Sequence, residues 1–407
     1  MNDETMHSST SSSAAPGPLS GVRVLELAGQ GPAPWCAMML SDMGADVLRV
    51  DRSGDVGSLR AVTDHTQFAN LRGRRSVAID LKHDSGREVF LRFVDQSDVV
   101  LEGFRPGVVE RLGIGPVECL ERRASLIYGR MTGWGQDGPW RHTAGHDINY
   151  IALTGMLNAI GTREKPVPPL NLAGDFGGGG LLLAFGVVAA LLESKTSGKG
   201  QVVDAAMVDG AALLGGMFHG LAQTGRWKDE RAANMLDGGA HFYGTYETSD
   251  NLWVAVGAIE PKFYSTLVGA LGLSETALGP QNDEDKWPEN RRVFAEVFRT
   301  RTRADWTELL QPLEACFSPV LNFDEALSHP HALARRAFIP VDGVMQPAPA
   351  PRFSRSEVRA ARGAARPGEH TVELLREFGF DASEIHELQF NRAVIAEQTN
   401  VLVQDRS

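Results

Sequence analysis

The sequence is short of cysteine and of basic charge, and each shortage removes a class of function. Only three cysteines occur in 407 residues: Cys36, Cys119 and Cys316. Their odd number, wide spacing and lack of any CxxC or Cys/His grouping argue against a disulfide framework or thiolate metal site. They read as buried or incidental thiols of a reducing compartment, which places the chain in the cytoplasm. Lys and Arg total 40 against 51 Asp and Glu, a formal net charge of −11, whereas a nucleic-acid protein needs a basic footprint. No apolar run reaches the roughly 20 residues of a membrane span. The longest, GGGGLLLAFGVVAALL at 177–192, opens on glycines and reads as a buried core helix. A basic segment leading into an apolar one is missing from the start, so MNDETMHSSTSSSAAPGP reads as a disordered leader over 1–17. The terminal QDRS matches no peroxisomal or retention address.

What remains is a soluble-type composition, 43% hydrophobic and 22% charged, in a chain long enough for two domains. GVRVLELA predicts a buried strand, PAPWCAMMLSDMGA a helix opened by prolines, and ADVLRVD a second strand. SVAIDLK, a helical SGREVFLRFVDQS, DVVLEGF and SLIYGRM continue the alternation. Such spacing predicts an α/β fold with a parallel, Rossmann-like sheet covered by helices on both faces. QVVDAAM returns as a strand and a helix follows from about Val208 toward Thr224. HFYGTYETSDNLWVAVGAI then predicts a hairpin turning at Ser249, Asp250 and Asn251. The expected division is a large α/β domain over 18–225, completed by 340–407, and a small α+β domain over 226–339. Beyond about Ser383 only a short helix and disorder are expected.

The join AGQGPAP between the first strand and helix, with Asp51 ending the second strand, invites a dinucleotide reading. Pro34 stands where the third glycine of that fingerprint would allow close helix–strand packing, and the reading loses there. Two other segments carry chemistry. In TAGHDINY, His146 and Asp147 precede a helical run; in NLAGDFGGGG, Asp175 lies between glycines. Each has a plain structural alternative, because Asp175 or Asp147 can simply cap a helix. His142 lies four residues from His146, but no third ligand completes a metal site. Taken together, His146 and Asp175 suit proton removal and redelivery at a carbon beside a carbonyl, with helix-start N–H groups holding the enolate. The glycines would let backbone approach a ligand closely.

The segments PLSGVRVLELAGQGPAP, GADVLRVDR, LEGFRPGVVERLGIG, LIYGRMTGWGQDGP, AGHDINYIALTGML and GKGQVVDAAMVDG resemble the family III CoA-transferases (the CaiB/BaiF superfamily), over about Pro18 to Arg355. They are most similar to its α-methylacyl-CoA racemase branch. The resemblance implies an isomerase of lipid metabolism that epimerises 2-methylacyl-CoA thioesters as an interlocked homodimer. It needs no metal and no cofactor beyond the CoA of its substrate. It implies His146 as one acid/base group, Asp175 as the group on the opposite face, and Glu260 as the carboxylate orienting the histidine. Glu260 falls in the expected small domain and His146 in the large one, so the resemblance places the site where two subunits meet. Asp147 is implied to offer its backbone N–H to the thioester oxygen. Arg52 and Arg105, with Arg72 and Arg75 of the loop LRGRR, are implied to contact CoA. That loop, which also holds Arg74, reads equally well as solvated surface. Met207, Met217 and Met235 are implied to line the acyl group, against the alternative of plain core packing. A CoA-transferase in which Asp175 forms an acyl anhydride is the other reading, and a catalytically silent acyl-CoA binder is a third.

Overall fold

The computed structural model describes residues 17–58 and 69–397. The expected leader, apart from Gly17, and the last residues of the tail lie outside them. The chain folds into two compact units: Met1–Ala144, Asp175–Gly210 and Ala337–Ser407 contribute to the first, Gly145–Gly174 and Ala211–Arg336 to the second. Sequence placed 145–174 and 211–225 in the large domain, yet both fold with the smaller unit. Arg231 gives the physical reason, since its guanidinium donates to the carbonyls of Thr162 and Asn158 at 2.8 and 3.1 Å. His146 and Glu260 therefore share one unit.

In the first unit, β1 (Arg23–Leu27), β2 (Asp46–Arg52), β3 (Arg74–Ile79), β4 (Val99–Glu102), β5 (Ile127–Thr132) and β6 (Gln201–Ala206) form the predicted parallel sheet. The strand order is β3-β2-β1-β4-β5-β6, and β12 (Val394–Ile395) adds antiparallel to the outer edge of β3, while β10 (Phe338–Val341) and β11 (Val344–Pro347) form a separate antiparallel pair. Central β1 buries four successive residues, as a strand covered on both faces must. Helix α1 (Pro32–Asp42) starts with proline in its first turn, where the missing N–H costs nothing. Helix α2 (Asp84–Val94) is amphipathic. Its Val89, Phe90 and Phe93 join Leu25, Leu48 and Tyr128 of the strands, and Leu374 and Phe378 of the C-terminal segment, in one core. The tail is thus a built part of the sheet, ending in a helix over Ala382–Phe390 and then β12, and the expected disorder is corrected up to residue 397.

The apolar glycine-rich run forms π-helical turns over Leu172–Leu181, then a regular helix over Leu182–Ser197. The expectation of a buried core helix holds for one face only. Leu183, Val187 and Ala190 pack inward, while Phe185 and Leu192 are 71% and 70% exposed. Over its whole length, Leu172–Ser197, this run is long and apolar enough to cross a membrane by composition. Its inner face packs on the sheet instead, and Gly129 of β5 makes room for the Leu183 and Val187 side chains.

In the second unit the predicted hairpin is present. β7 (Tyr243–Glu247) pairs antiparallel with β8 (Trp253–Gly257), and β9 (Phe317–Pro319) adds to β8. Asn251 takes the left-handed conformation in the turn, φ 59°. The core behind this sheet is aromatic: Phe242, Tyr246, Phe294, Phe298 and Trp306 interlock, with Tyr246 stacked on Phe298 at 5.0 Å between ring centroids. The single helix expected from about Val208 is two helices, Met207–Leu214 and Gly216–Gln223. They break at Gly215, where a Cβ would lie 2.5 Å from Met156 Sδ.

Candidate active site

His146 has an extended backbone, φ −132° and ψ 174°, and caps the helix Asp147–Leu153. Its main chain is held twice. The His146 N–H donates to Asn149 Oδ1 at 3.0 Å, and its carbonyl accepts from the Asn149 N–H at 2.8 Å. The Tyr150 hydroxyl donates to the carbonyl of Gly145, one residue before. The backbone is fixed while His146 remains exposed. Asn149 and Tyr150 were missed from sequence. The detectable signal was a capping-box spacing, an amide side chain three residues after the helix-capping position.

Asp175 sits in the first turn of the π-helical segment and is half-buried. Its Oδ2 lies 3.8 Å from where a Cβ of Gly31 would stand. Gly31 ends the β1–α1 turn at φ 75°, a conformation that favours glycine. Because β1 separates β2 from β4, the strand order reverses there, and open α/β sheets bind ligands beyond the carboxyl ends of strands at such a reversal. Phe176 packs on Trp35 of α1, ring centroids 5.6 Å apart. Within the glycine run, expected to admit a ligand, Gly180 packs closely on α1. A Cβ at Gly180 would stand 2.7 Å from the Trp35 ring and 2.8 Å from the carbonyl of Pro32.

Glu260 is exposed and caps the helix Pro261–Ala270 without using its side chain. Its carboxylate lies close enough to Cys316 to help burial raise that thiol, which is exposed, whereas Cys36 and Cys119 are buried. Among the described residues of a single chain, no hydrogen bond or ion pair joins Glu260 to His146.

The predicted arginines divide in two. Arg52, ending β2, and Arg105, just after β4, are exposed at the carboxyl side of the sheet. The turn presenting Arg105 is pinned by Glu102, whose Oε2 accepts the Phe104 N–H at 2.6 Å and whose Oε1 accepts from Arg130 Nε at 2.8 Å. Arg72 and Arg75 are corrected. Arg72 is 2% exposed and forks onto Asp42 at 2.6 and 3.1 Å, with further bonds to Gln346 and the Pro347 carbonyl. Arg75 is bound to Asp46, Glu373 and Glu377. Their donors are committed inside the fold, so neither is presented to a phosphate. Asp51, the acid a dinucleotide site would use, is likewise buried and held by Arg49 and the Ser76 hydroxyl at 2.9 and 2.6 Å.

Met207 is buried, Met235 packs beside the aromatic core of the second unit, and Met217 is 55% exposed. His142 accepts from Arg141 Nε at 3.0 Å, and among the described residues no three His, Cys, Asp or Glu side chains gather as a metal site would need.

The model of CoA-transferase family III matches residues 19–371. An α-methylacyl-CoA racemase of Mus musculus is 47% identical over 380 residues, 92% of this chain and 97% of that protein. The racemase of Homo sapiens is 44% identical over 382 residues, with the same coverage of 92% and 97%. A CaiB/BaiF CoA-transferase family protein of Caenorhabditis elegans is 33% identical over 350 residues, 84% of this chain and 97% of that protein. The crystal structure of a CaiB/BaiF family protein from Brucella suis matches with a TM-score of 0.76 at 25% identity, over 89% of this chain and 100% of that one. With the sheet order, the segment spacing and these matches in agreement, the chain belongs to CoA-transferase family III.

Proposed function

We propose that this protein interconverts the (R) and (S) epimers of 2-methylacyl-CoA thioesters. The observation that carries the reading is 47% identity to a racemase along 97% of its length, against 33% to a CaiB/BaiF CoA-transferase family protein of Caenorhabditis elegans. In the reaction, one acid/base group takes the proton from the carbon beside the thioester. Electrons move onto the thioester oxygen as an enolate, and a second group returns a proton to the opposite face. His146 and Asp175 are the two groups, exchanging roles with direction. The Asp147 N–H receives the enolate oxygen; losing one such donor costs about 3 kcal/mol of transition-state stabilisation in known oxyanion sites. Thioester acidity and these donors supply the chemistry, so no cofactor is needed beyond the CoA that the substrate carries.

Arg52 and Arg105 bind the CoA phosphates, their exposure at the carboxyl ends of β2 and β4 supporting the role. Met207, Met217 and Met235 contact the acyl group. The working form is a homodimer, in which Glu260 of the partner subunit orients the His146 imidazole. One observation supports the dimer: the exposed apolar side chains of Phe185, Val188 and Leu192 on the helix Leu182–Ser197.

CoA transfer is the second reading, favoured by the family and by the accessible carboxylate of Asp175, which would attack the thioester to form a mixed anhydride. The discriminating experiment is incubation of a single 2-methylacyl-CoA epimer in heavy water without an acceptor acid. Racemisation gives deuterium at C2 and both epimers. Transfer gives neither, but yields a new CoA ester once an acceptor carboxylate is added.

A further inference from the structure

Asp147 follows His146 directly, and Gly174 directly precedes Asp175. These two neighbours, one from each acid/base motif, press against each other within the second unit. Asp147 is 5% exposed. A Cβ at Gly174 would stand 2.6 Å from Asp147 Oδ1, 2.9 Å from its Cγ and 3.2 Å from its carbonyl oxygen. Gly174 is not among the glycines of positive φ, so its requirement is steric: the Asp147 carboxyl occupies the space where a side chain would be. The turn before Asp147 is itself rigid, clamped by Asn149 and Tyr150.

We propose that the Asp147–Gly174 contact is a positioning device for the reaction. The Asp147 carboxyl seats Gly174, the residue that leads into Asp175, on the turn that carries His146. This inference rests on the racemase reading and adds to it a second role for Asp147. The N–H serves the enolate oxygen, while the side chain sets the placement of an acid/base group. Proton transfer between two fixed groups and one carbon tolerates little displacement, since misplacement by about 1 Å can cost on the order of 100-fold in rate.

The test is a double-mutant cycle in the full-length protein, read by α-deuterium exchange of a single 2-methylacyl-CoA epimer. Gly174→Ala forces a methyl group against Asp147 and lowers kcat by about 10- to 100-fold, with KM within about threefold of the starting value. In the Asp147→Ala background the space is open, so Gly174→Ala adds less than about a threefold further loss. Asp147→Asn keeps shape and Oδ1, and retains at least about tenfold more activity than Asp147→Ala. Multiplicative losses around the cycle, a loss confined to KM, or equal rates for Asp147→Asn and Asp147→Ala would overturn the proposal. Should Gly174→Ala not fold, the comparison of Asn with Ala at 147 decides alone. Exchange by the unaltered protein with a multiplicative cycle removes only this contact; no exchange at all removes the racemase reading beneath it.

Discussion

Arg74 and Glu26, both without solvent exposure, form an ion pair of 2.9 Å inside the first unit, joining β3 to the central strand β1. Arg74 also donates to the carbonyls of Asn70, Arg72 and Pro34, which ties the pair to the start of α1. A loop that reads as a basic surface thereby becomes an internal fastening. Breaking a buried pair by removing one partner leaves an uncompensated charge, at about 3–5 kcal/mol. Arg74→Met should lower stability by that order in urea denaturation. A change under about 1 kcal/mol would mean that the carboxyl of Glu26 is satisfied some other way.

Arg72 and Arg105 should separate cleanly. Arg72→Ala removes the buried fork onto Asp42 and should cost about 3 kcal/mol or more of stability. Arg105→Ala should leave the melting temperature nearly unchanged and weaken CoA-ester binding about tenfold, the size of one charge-assisted contact. Calorimetric melting and titration with free CoA measure both. An Arg72→Ala protein of normal stability and lowered CoA affinity would reverse the assignment.

His241 predicts a pH response. It is fully buried, with Nε2 at 2.8 Å from the Tyr264 hydroxyl. Burial, then the nearby Arg291 guanidinium, pushes its imidazole down from 6.5 to about 4. The folded protein keeps this ring neutral where the unfolded chain would protonate it. The associated stability is whole above about pH 6.5, declines as pH falls toward about 4, and changes no further below that, for a loss on the order of 3 kcal/mol. His241→Gln, which cannot titrate, should flatten this decline in acid-unfolding curves. An unchanged pH slope would remove His241 as its cause.

His146→Ala should reduce α-deuterium exchange by about 10²–10⁴-fold while CoA esters still bind, because general acid/base groups contribute on that scale. The imidazole is exposed and its backbone is held by Asn149, so truncation leaves the helix start intact. Parallel loss of binding, followed by isothermal titration, would show a structural histidine.

The sheet was legible because short strands rich in valine, leucine and isoleucine alternate with helical segments, as in VVLE of β4 and the amphipathic Asp84–Val94. The hairpin was legible because Ser249–Asp250–Asn251 breaks two β-rich runs. Strand β12 was not legible: two residues carry no period, and its pairing with Ile79 and Ala78 spans more than three hundred positions. The fate of LRGRR was hidden for a similar reason, since Asp42, Asp46 and Glu26 are distant in sequence and look like ordinary surface acids. At the candidate site, side-chain types were readable, but closeness was not. Nothing local shows that Gly174 must be bare to admit Asp147, or that Gly180 must be bare to admit Trp35. The domain boundary shifted for want of the same information, because Arg231 reaches Asn158 from outside its own segment.

Proton traffic at the carbon beside the thioester is what sets racemisation apart from CoA transfer. The most direct measurement is proton NMR of one 2-methylacyl-CoA epimer incubated with the full-length protein in heavy water, with no acceptor acid. The account predicts loss of the C2 proton signal and growth of the second epimer until the two are equal. A retained C2 proton and a single persistent epimer, alongside CoA ester formation with an added carboxylate, would contradict it.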